Sequence, residues 1–398
     1  MVDSTVSNTV LHHKAHDLLS LIEALNHSGS RLEDQFWEAK LTESVQELLV
    51  DPDSTLLEQL LDYLSSSEQF ELYDVLVSLI EGLAESATLS HQGQRYDVLL
   101  ITAPIAAWTR YQLPEGDLSH ELHEKLLGAV KSYAGSDAKV AVLGQLLSFD
   151  QLPKSFALTH EFTAQLGRLA LEAKPTTIEL DHLEDGITLL ADTKFIVCAI
   201  ATPQGQAAFA WQQHKNPLLA LQESQTRWQE QCEQLLSAMF AGCQAQFLPP
   251  DGYYFNTRTS DKLMRPLAIK AAVSWLGLVT QSEPSEISAV VARCGESDTE
   301  EFRIGLTVEN HPELLYGCVW PIFSKDEIDR SSSHFEDSAL QIQTILTELG
   351  VESILFLAGL YDPDFCDDCS APSFPTAQGE LDHPYLPEEL DFAPAPLH

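Results

Sequence analysis

Tyr96-Asp97-Val98-Leu99-Leu100-Ile101-Thr102-Ala103-Pro104-Ile105-Ala106-Ala107-Trp108-Thr109-Arg110 is the stretch on which the fold turns. It is the first strongly apolar run of the chain, and everything before it has helical periodicity. Val98 to Ile101 are continuously apolar and β-prone, which predicts a strand covered on both faces. Pro104 has no N–H for a sheet ladder, so the strand is expected to end or kink there. The small residues Ala103, Ala106 and Ala107 allow a close neighbour beyond it. Apolar runs of this kind are core elements, and no catalytic signature lies within this one.

Upstream, residues 1–13 form a polar tail, and residues 14–90 a helical module. Leu18, Leu21, Ile22 and Leu25 share one helical face that Gly29 interrupts. Ser30 and Glu33 have the spacing of a capping box for the next helix, which carries Phe36, Trp37, Leu41, Val45, Leu48 and Leu49 before Pro52. Two more helices are expected over 56–64 and 73–84.

Downstream, apolar strands alternate with amphipathic helices. The predicted class is α/β, with mixed α+β the neighbouring possibility: a helical module, then mixed sheets with crossover helices. Openings near Asp97, Phe195 and Ile287 divide this part into units at 91–190, 191–284 and 285–361. Their spacing hints at a repeated unit, although the side chains barely match and chance recurrence explains them equally well. A hairpin partner is expected over 207–211. Residues 362–398 hold many prolines and no Lys or Arg, and read as an extended acidic arm.

The chain has 398 residues, enough for two or three domains and a sizeable core. Lys and Arg number 22 against 60 Asp and Glu, a formal net charge of -38. A field of that sign repels nucleic acid and anionic membranes, favours basic partners and keeps the chain soluble. No run reaches the roughly 18 apolar residues that a bilayer span needs. The first residues lack a basic segment followed by an apolar core, so no secretory signal is expected. Seven cysteines, scattered from Cys198 onward, are not a disulfide framework, and a cytoplasmic location follows.

Four segments carry a resemblance: Ser28-Gly29-Ser30-Arg31-Leu32-Glu33-Asp34-Gln35-Phe36-Trp37-Glu38, Ala103 through Arg110, Ser148-Phe149-Asp150-Gln151-Leu152-Pro153, and Cys366-Asp367-Asp368-Cys369-Ser370-Ala371-Pro372. With these the chain resembles an uncharacterised bacterial family of similar length, known only as a domain of unknown function. The resemblance spans nearly the whole chain. It implies a bacterial cytosolic protein acting as one unit, and it brings no activity, cofactor or catalytic residue with it.

The chemistry-bearing candidate is Cys366 and Cys369. A C-x-x-C turn offers two thiolates to one tetrahedral metal, with zinc the expected ion and His383 the expected third ligand. Cys318, or the same motif from a second copy, are further sources of ligands. A redox pair fits less well, because Asp364, Asp367 and Asp368 oppose thiolate formation, and an unliganded turn is the bland alternative. His120, His123 and Glu124 share a helix face at metal-ligand spacing, but the order is not H-E-x-x-H. Helix-start residues of these types are usually solvated, as are His12, His13 and His16 near the terminus. Arg258, Lys262, Arg265 and Lys270, behind Tyr253, Tyr254 and Phe255, suggest either an anion-binding face or an ordinary amphipathic helix.

The chain contains no G-x-S-x-G elbow, phosphate loop or dinucleotide fingerprint. The expected function is therefore a non-enzymatic interaction or scaffold protein that binds a protein partner or itself, without nucleic acid or membrane. The alternative is an enzyme or binding protein for a small ligand at strand ends of the α/β region. A pocket with convergent polar groups would favour the alternative.

Overall fold

A computed structural model describes residues 13–51, 54–109, 113–114, 116–173, 190–296, 298–323, 327, 337–367 and 369–385. Four helices come first: α1 (His13–Asn26), α2 (Arg31–Leu49), α3 (Leu56–Ser66) and α4 (Phe70–Ala84). The Ser30 hydroxyl accepts the Glu33 N–H and donates to the Glu33 carboxylate, the local contact that the capping spacing predicts. The four helices bury a leucine-rich core of their own, including Leu18, Ile22, Leu41, Val45, Leu60, Leu64, Leu76 and Ile80.

β1 (Ser86–His91) follows α4 directly, a strand absent from the sequence reading. Its alternation of half-buried and exposed residues is that of a sheet edge, and the polar run Ser-Ala-Thr-Leu-Ser-His carries too little apolar signal to be noticed. Gln92 and Gly93, both with positive φ, turn it into β2 (Gln94–Trp108).

β2 is the axis of the larger sheet, whose path is β1-β2-β4-β3. The other partners come in order: α5 (His120–Tyr133), β3 (Lys139–Val142), α6 (Phe156–Glu172), β4 (Ala191–Pro203), α7 (Pro217–Leu236), β5 (Gln244–Phe247) and β6 (Asp251–Gly252). β4 runs antiparallel to β2 from Tyr96↔Pro203 to Trp108↔Ala191. The openings at Asp97 and Phe195 thus lie side by side in one sheet.

Pro104 neither ends nor bends this strand, contrary to expectation. Its partner across β4 is Phe195, whose own N–H and C=O both bond to Leu147 on the far side. Pro104 therefore aims its backbone groups the other way, between β6 at Ile101 and Thr102 and β5 from Ile105 onward. The missing N–H falls in that gap, while the Pro104 C=O accepts the Leu248 N–H at 2.8 Å. The predicted hairpin partner over 207–211 is also replaced. A short 3-10 turn at Ala210–Gln213 stands there, joined by one bridge from Phe209 to Ala134.

Both sheet faces are covered, as the continuous apolar pattern predicts. Ile101, Ala103, Ile105, Ile196 and Cys198 pack against α5 and α7, where buried Trp228 donates to the Leu248 C=O at 2.8 Å. Val98, Leu100, Val197 and Ala199 pack against α6 and Tyr253 on the other side.

α8 (Tyr253–Val279) leaves this sheet and lies along a second one. Asn256 pins its start by donating to the Thr102 and Pro249 carbonyls. The second sheet has the order β10-β7-β8-β9, built from β7 (Ile287–Cys294), β8 (Glu301–Val308), β9 (His311–Pro321) and, after α9 (Ser338–Glu348), β10 (Ser353–Phe356) parallel to β7. α8 and α9 cover one face over Ile287, Val291, Ile304, Leu306 and Trp320. Mixed α/β is thus the observed class. None of the helices among the described residues is long and apolar enough to cross a membrane.

Candidate metal centre

The other face of the second sheet is crossed by residues after Tyr361. Tyr361 bridges to Cys294, and β11 (Phe374–Pro375) pairs with β12 (Leu381–Asp382) in a small hairpin. Gly305 of β8 and Gly317 of β9 are direct register partners, and together they form a notch in the sheet. A Cβ on Gly317 would stand 2.3 Å from the Phe374 ring, and one on Gly305 2.2 Å from the Pro375 C=O. Buried Phe374 fills the notch, a burial that stabilises by roughly 1.5–3 kcal/mol. The predicted acidic arm is a strap, at least as far as Tyr385, whose N–H bonds to the Leu314 C=O at 2.8 Å. Pro387, Pro394 and Pro396 lie outside the described residues.

A buried guanidinium grips the same strap. Arg303, 0% exposed, donates to the Asp364 and Ser373 carbonyls and to Glu301, and the Phe365 ring covers it at 4.9 Å. Phe365 and Pro372 are bridged, so residues 365–372 form a closed loop standing on Arg303. Within it the Cys366 N–H bonds to the Ala371 C=O and the Ser370 N–H to the Cys366 C=O, each at 2.8 Å. Ser370 takes positive φ to end the turn. That turn presents Cys366 and Cys369 on one side, and the β11–β12 hairpin brings His383 up to them.

The outcome is a cluster. The Sγ atoms of Cys366 and Cys369 and a His383 ring nitrogen all lie within 4.8 Å of one another, the one such group among the described residues. Cys369 Sγ and His383 Nε2 are 3.2 Å apart. Cys366 is half-buried, while Cys369 and His383 are exposed. Two thiolates and an imidazole are a donor set suited to a tetrahedral divalent ion, and a metal would link the loop to the hairpin.

The other sequence candidates fall elsewhere. Cys318 is buried in the second core, its thiol donating to the Ala268 C=O and pushed up to about 12 by burial. His120, His123 and Glu124 form no metal-ligating group among the described residues; His123 Nδ1 lies 3.9 Å from the Glu124 carboxylate and its Nε2 2.9 Å from the Val142 C=O. His16 is exposed on α1, and His12 lies outside the described residues. Two members of the basic helix face have structural jobs. Arg258 pairs with Glu81 of the helical module. Arg265 is buried, pairs with Glu327 and stacks on Trp320 and Phe323.

The α5 candidates His120, His123 and Glu124 do reach a cavity. A cleft of about 800 Å³ lies between α5 and α6, above β3. His120, His123, Glu124 and Lys131 line it from α5, Lys139 and Val140 from β3. β3 is the last strand on its side of the sheet among the described residues. The Leu143 N–H bonds to the Val197 C=O, so in this antiparallel ladder Val140, three residues earlier, turns its N–H and C=O outward. One strand position therefore offers a donor and an acceptor to the cleft.

A family model described as Protein of unknown function (DUF2863) matches residues 4–397. No curated protein and no solved structure matches the chain.

Proposed function

The chain belongs to that family along almost its whole length, and from this premise we propose a non-enzymatic cytoplasmic interaction protein that takes an extended basic polypeptide along the edge of β3. The carrying observation is the cleft at Val140, where a strand edge is recessed between two helices. Main-chain pairing at such an edge recognises extended backbone, and flanking pockets select side chains. The net charge of -38 selects for basic segments and speeds their encounter.

Titration of the full chain with basic, neutral and acidic extended peptides tests this. Basic peptides should bind with a salt-dependent affinity. Val140→Pro removes the outward N–H without taking a bond from the β4 ladder. It should weaken binding about tenfold, the loss of roughly 1.4 kcal/mol expected for one hydrogen bond. Equal binding by Val140→Pro, or none by the wild type, would overturn the reading.

A second reading has the cleft itself in its favour. Its volume of about 800 Å³ lies within the range of small-molecule sites, and it carries imidazole, carboxylate and ammonium groups. Thermal shifts across a metabolite panel separate the two, because a bound ligand at 100 times its Kd stabilises by about 2.7 kcal/mol.

We assign zinc to the Cys366, Cys369 and His383 group, in a structural role. Support comes from the donor set and from its position, where one ion ties the Arg303-held loop to the hairpin. Elemental analysis should find about one zinc per chain, lost when Cys366 and Cys369 are both changed to Ser. Metal-free wild-type protein with a strap equally resistant to protease would refute the assignment.

A further inference from the structure

The seven thiols are sharply divided by their surroundings. Cys198, Cys232, Cys294 and Cys318 are buried. Burial pushes the Cys232 and Cys318 thiols up to about 12 and Cys294 to about 11, and raises Cys198 as well. Cys243 is half-buried on the first core, and desolvation raises it against the opposing hydrogen bond with Thr109. Protonated, enclosed thiols are poor nucleophiles. Cys369 is the one exposed cysteine, and Cys366 lies beside it in the same turn.

We propose that Cys366 and Cys369 are a peroxide-sensitive switch: their oxidation to a disulfide expels the metal and frees their turn from the β11–β12 hairpin. The proposal rests on the zinc assignment above. The turn closed from Ser370 N–H to Cys366 C=O keeps the two sulfurs within 4.8 Å on one side, so side-chain rotation can bring them to bonding distance. The oxidant is hydrogen peroxide or an alkyl hydroperoxide. The exposed Cys369 sulfur, which a bound zinc would keep as thiolate against the neighbouring carboxylates, attacks the O–O bond, giving a sulfenic acid and releasing water or alcohol after one proton is taken up. The Cys366 thiolate then attacks the Cys369 sulfur, and the leaving hydroxide takes a second proton to become water. Two electrons pass from the sulfur pair to the peroxide, and one S–S bond forms.

The metal consequence follows from ligand arithmetic. A disulfide sulfur is a weak ligand, so oxidation removes both anionic donors and leaves His383 alone. Zinc is released, and the loop from Phe365 to Pro372 is no longer tied to the β11–β12 hairpin. Arg303 and Phe374 still hold the strap, which makes the release local and the switch reversible by thiol reductant.

The experiment treats the zinc-loaded full chain with graded hydrogen peroxide. Zinc release is read with a chromogenic chelator, disulfide by peptide mass, and strap exposure by chymotryptic cleavage at Phe365. One zinc should leave per Cys366–Cys369 disulfide, the peptide should lose two hydrogens, and cleavage should quicken about tenfold. Reductant with added zinc should reverse all three. A Cys243→Ser variant should behave as the wild type, and Cys369→Ser should form no disulfide at this turn. Zinc retained under peroxide, or oxidation starting at another cysteine, would overturn the switch and leave the zinc assignment standing. A chain that binds no zinc before oxidant is added would overturn both.

Discussion

Glu85 follows the last turn of α4, and its carboxylate accepts the Tyr254 N–H of α8 at 3.0 Å. Burial raises its pKa above the usual carboxylate value, the Tyr254 bond opposes that rise, and nearby Glu81 adds to it. The folded chain therefore holds this proton more tightly than the unfolded chain does. The stability this contributes is complete below the ordinary glutamate pKa of about 4.3, and is lost as pH climbs through the raised folded value. Glu85→Gln keeps an acceptor for Tyr254 and removes the charge. Its stability should exceed that of the wild type at pH 7, with the difference shrinking toward pH 4. Unfolding curves measured across that range check this, and two parallel profiles would rule it out. Asp192 and Lys194 pose the same issue with a partner present: they are buried, 2.9 Å apart, on one face of β4. Lys194→Met would strand the Asp192 charge, at a cost of about 3–5 kcal/mol in chemical denaturation.

Among the elements, the strap depends on two missing side chains. Gly317→Ala would place a methyl group inside the Phe374 ring, so the ring must leave its notch. The expected loss is about 2–4 kcal/mol, with faster chymotryptic cleavage of the strap at Phe365. Unchanged cleavage would show that the notch does not hold the arm. Single glycines inside strands signal a close approach, and Arg303 inside the apolar run of β8 signals a buried polar partner. Both clues were legible in the sequence, but what approaches them lies about sixty residues away, where no local pattern reaches. The Cys366–Cys369 pair was legible from its spacing, and His383 from its proximity in sequence. The cleft was not, because it depends on how α5 and α6 straddle an edge strand. Helical and strand periodicity located most elements, and it missed β1 because a polar edge strand has no strong apolar rhythm. Pro104 misled for a related reason: a proline is compatible with a strand interior wherever its neighbour has a gap.

Across the whole molecule, sixty acidic groups against 22 basic ones set up repulsion that the fold must overcome. Raising ionic strength from about 0.01 M to 0.15 M shortens the screening length from about 30 Å to 8 Å. The Tm should rise with added sodium chloride, and a Tm that stays level would mean that counter-charges already balance the surface locally. The second edge of β2 has another whole-molecule consequence. It is completed by three separate pieces: β1, β6 and β5. β1 leaves the ribosome before β2, whereas β4, β5 and β6 emerge long after it. At roughly 5–20 residues per second, Ala103 to Trp108 wait on the order of ten seconds for their neighbours. During that interval a long apolar strand is open on one edge at least, a template for mispairing with another nascent chain. The helical module and β1 are complete by then, which makes them a natural early folding unit and the synthesis of β5 and β6, after β4, the point after which aggregation should cease.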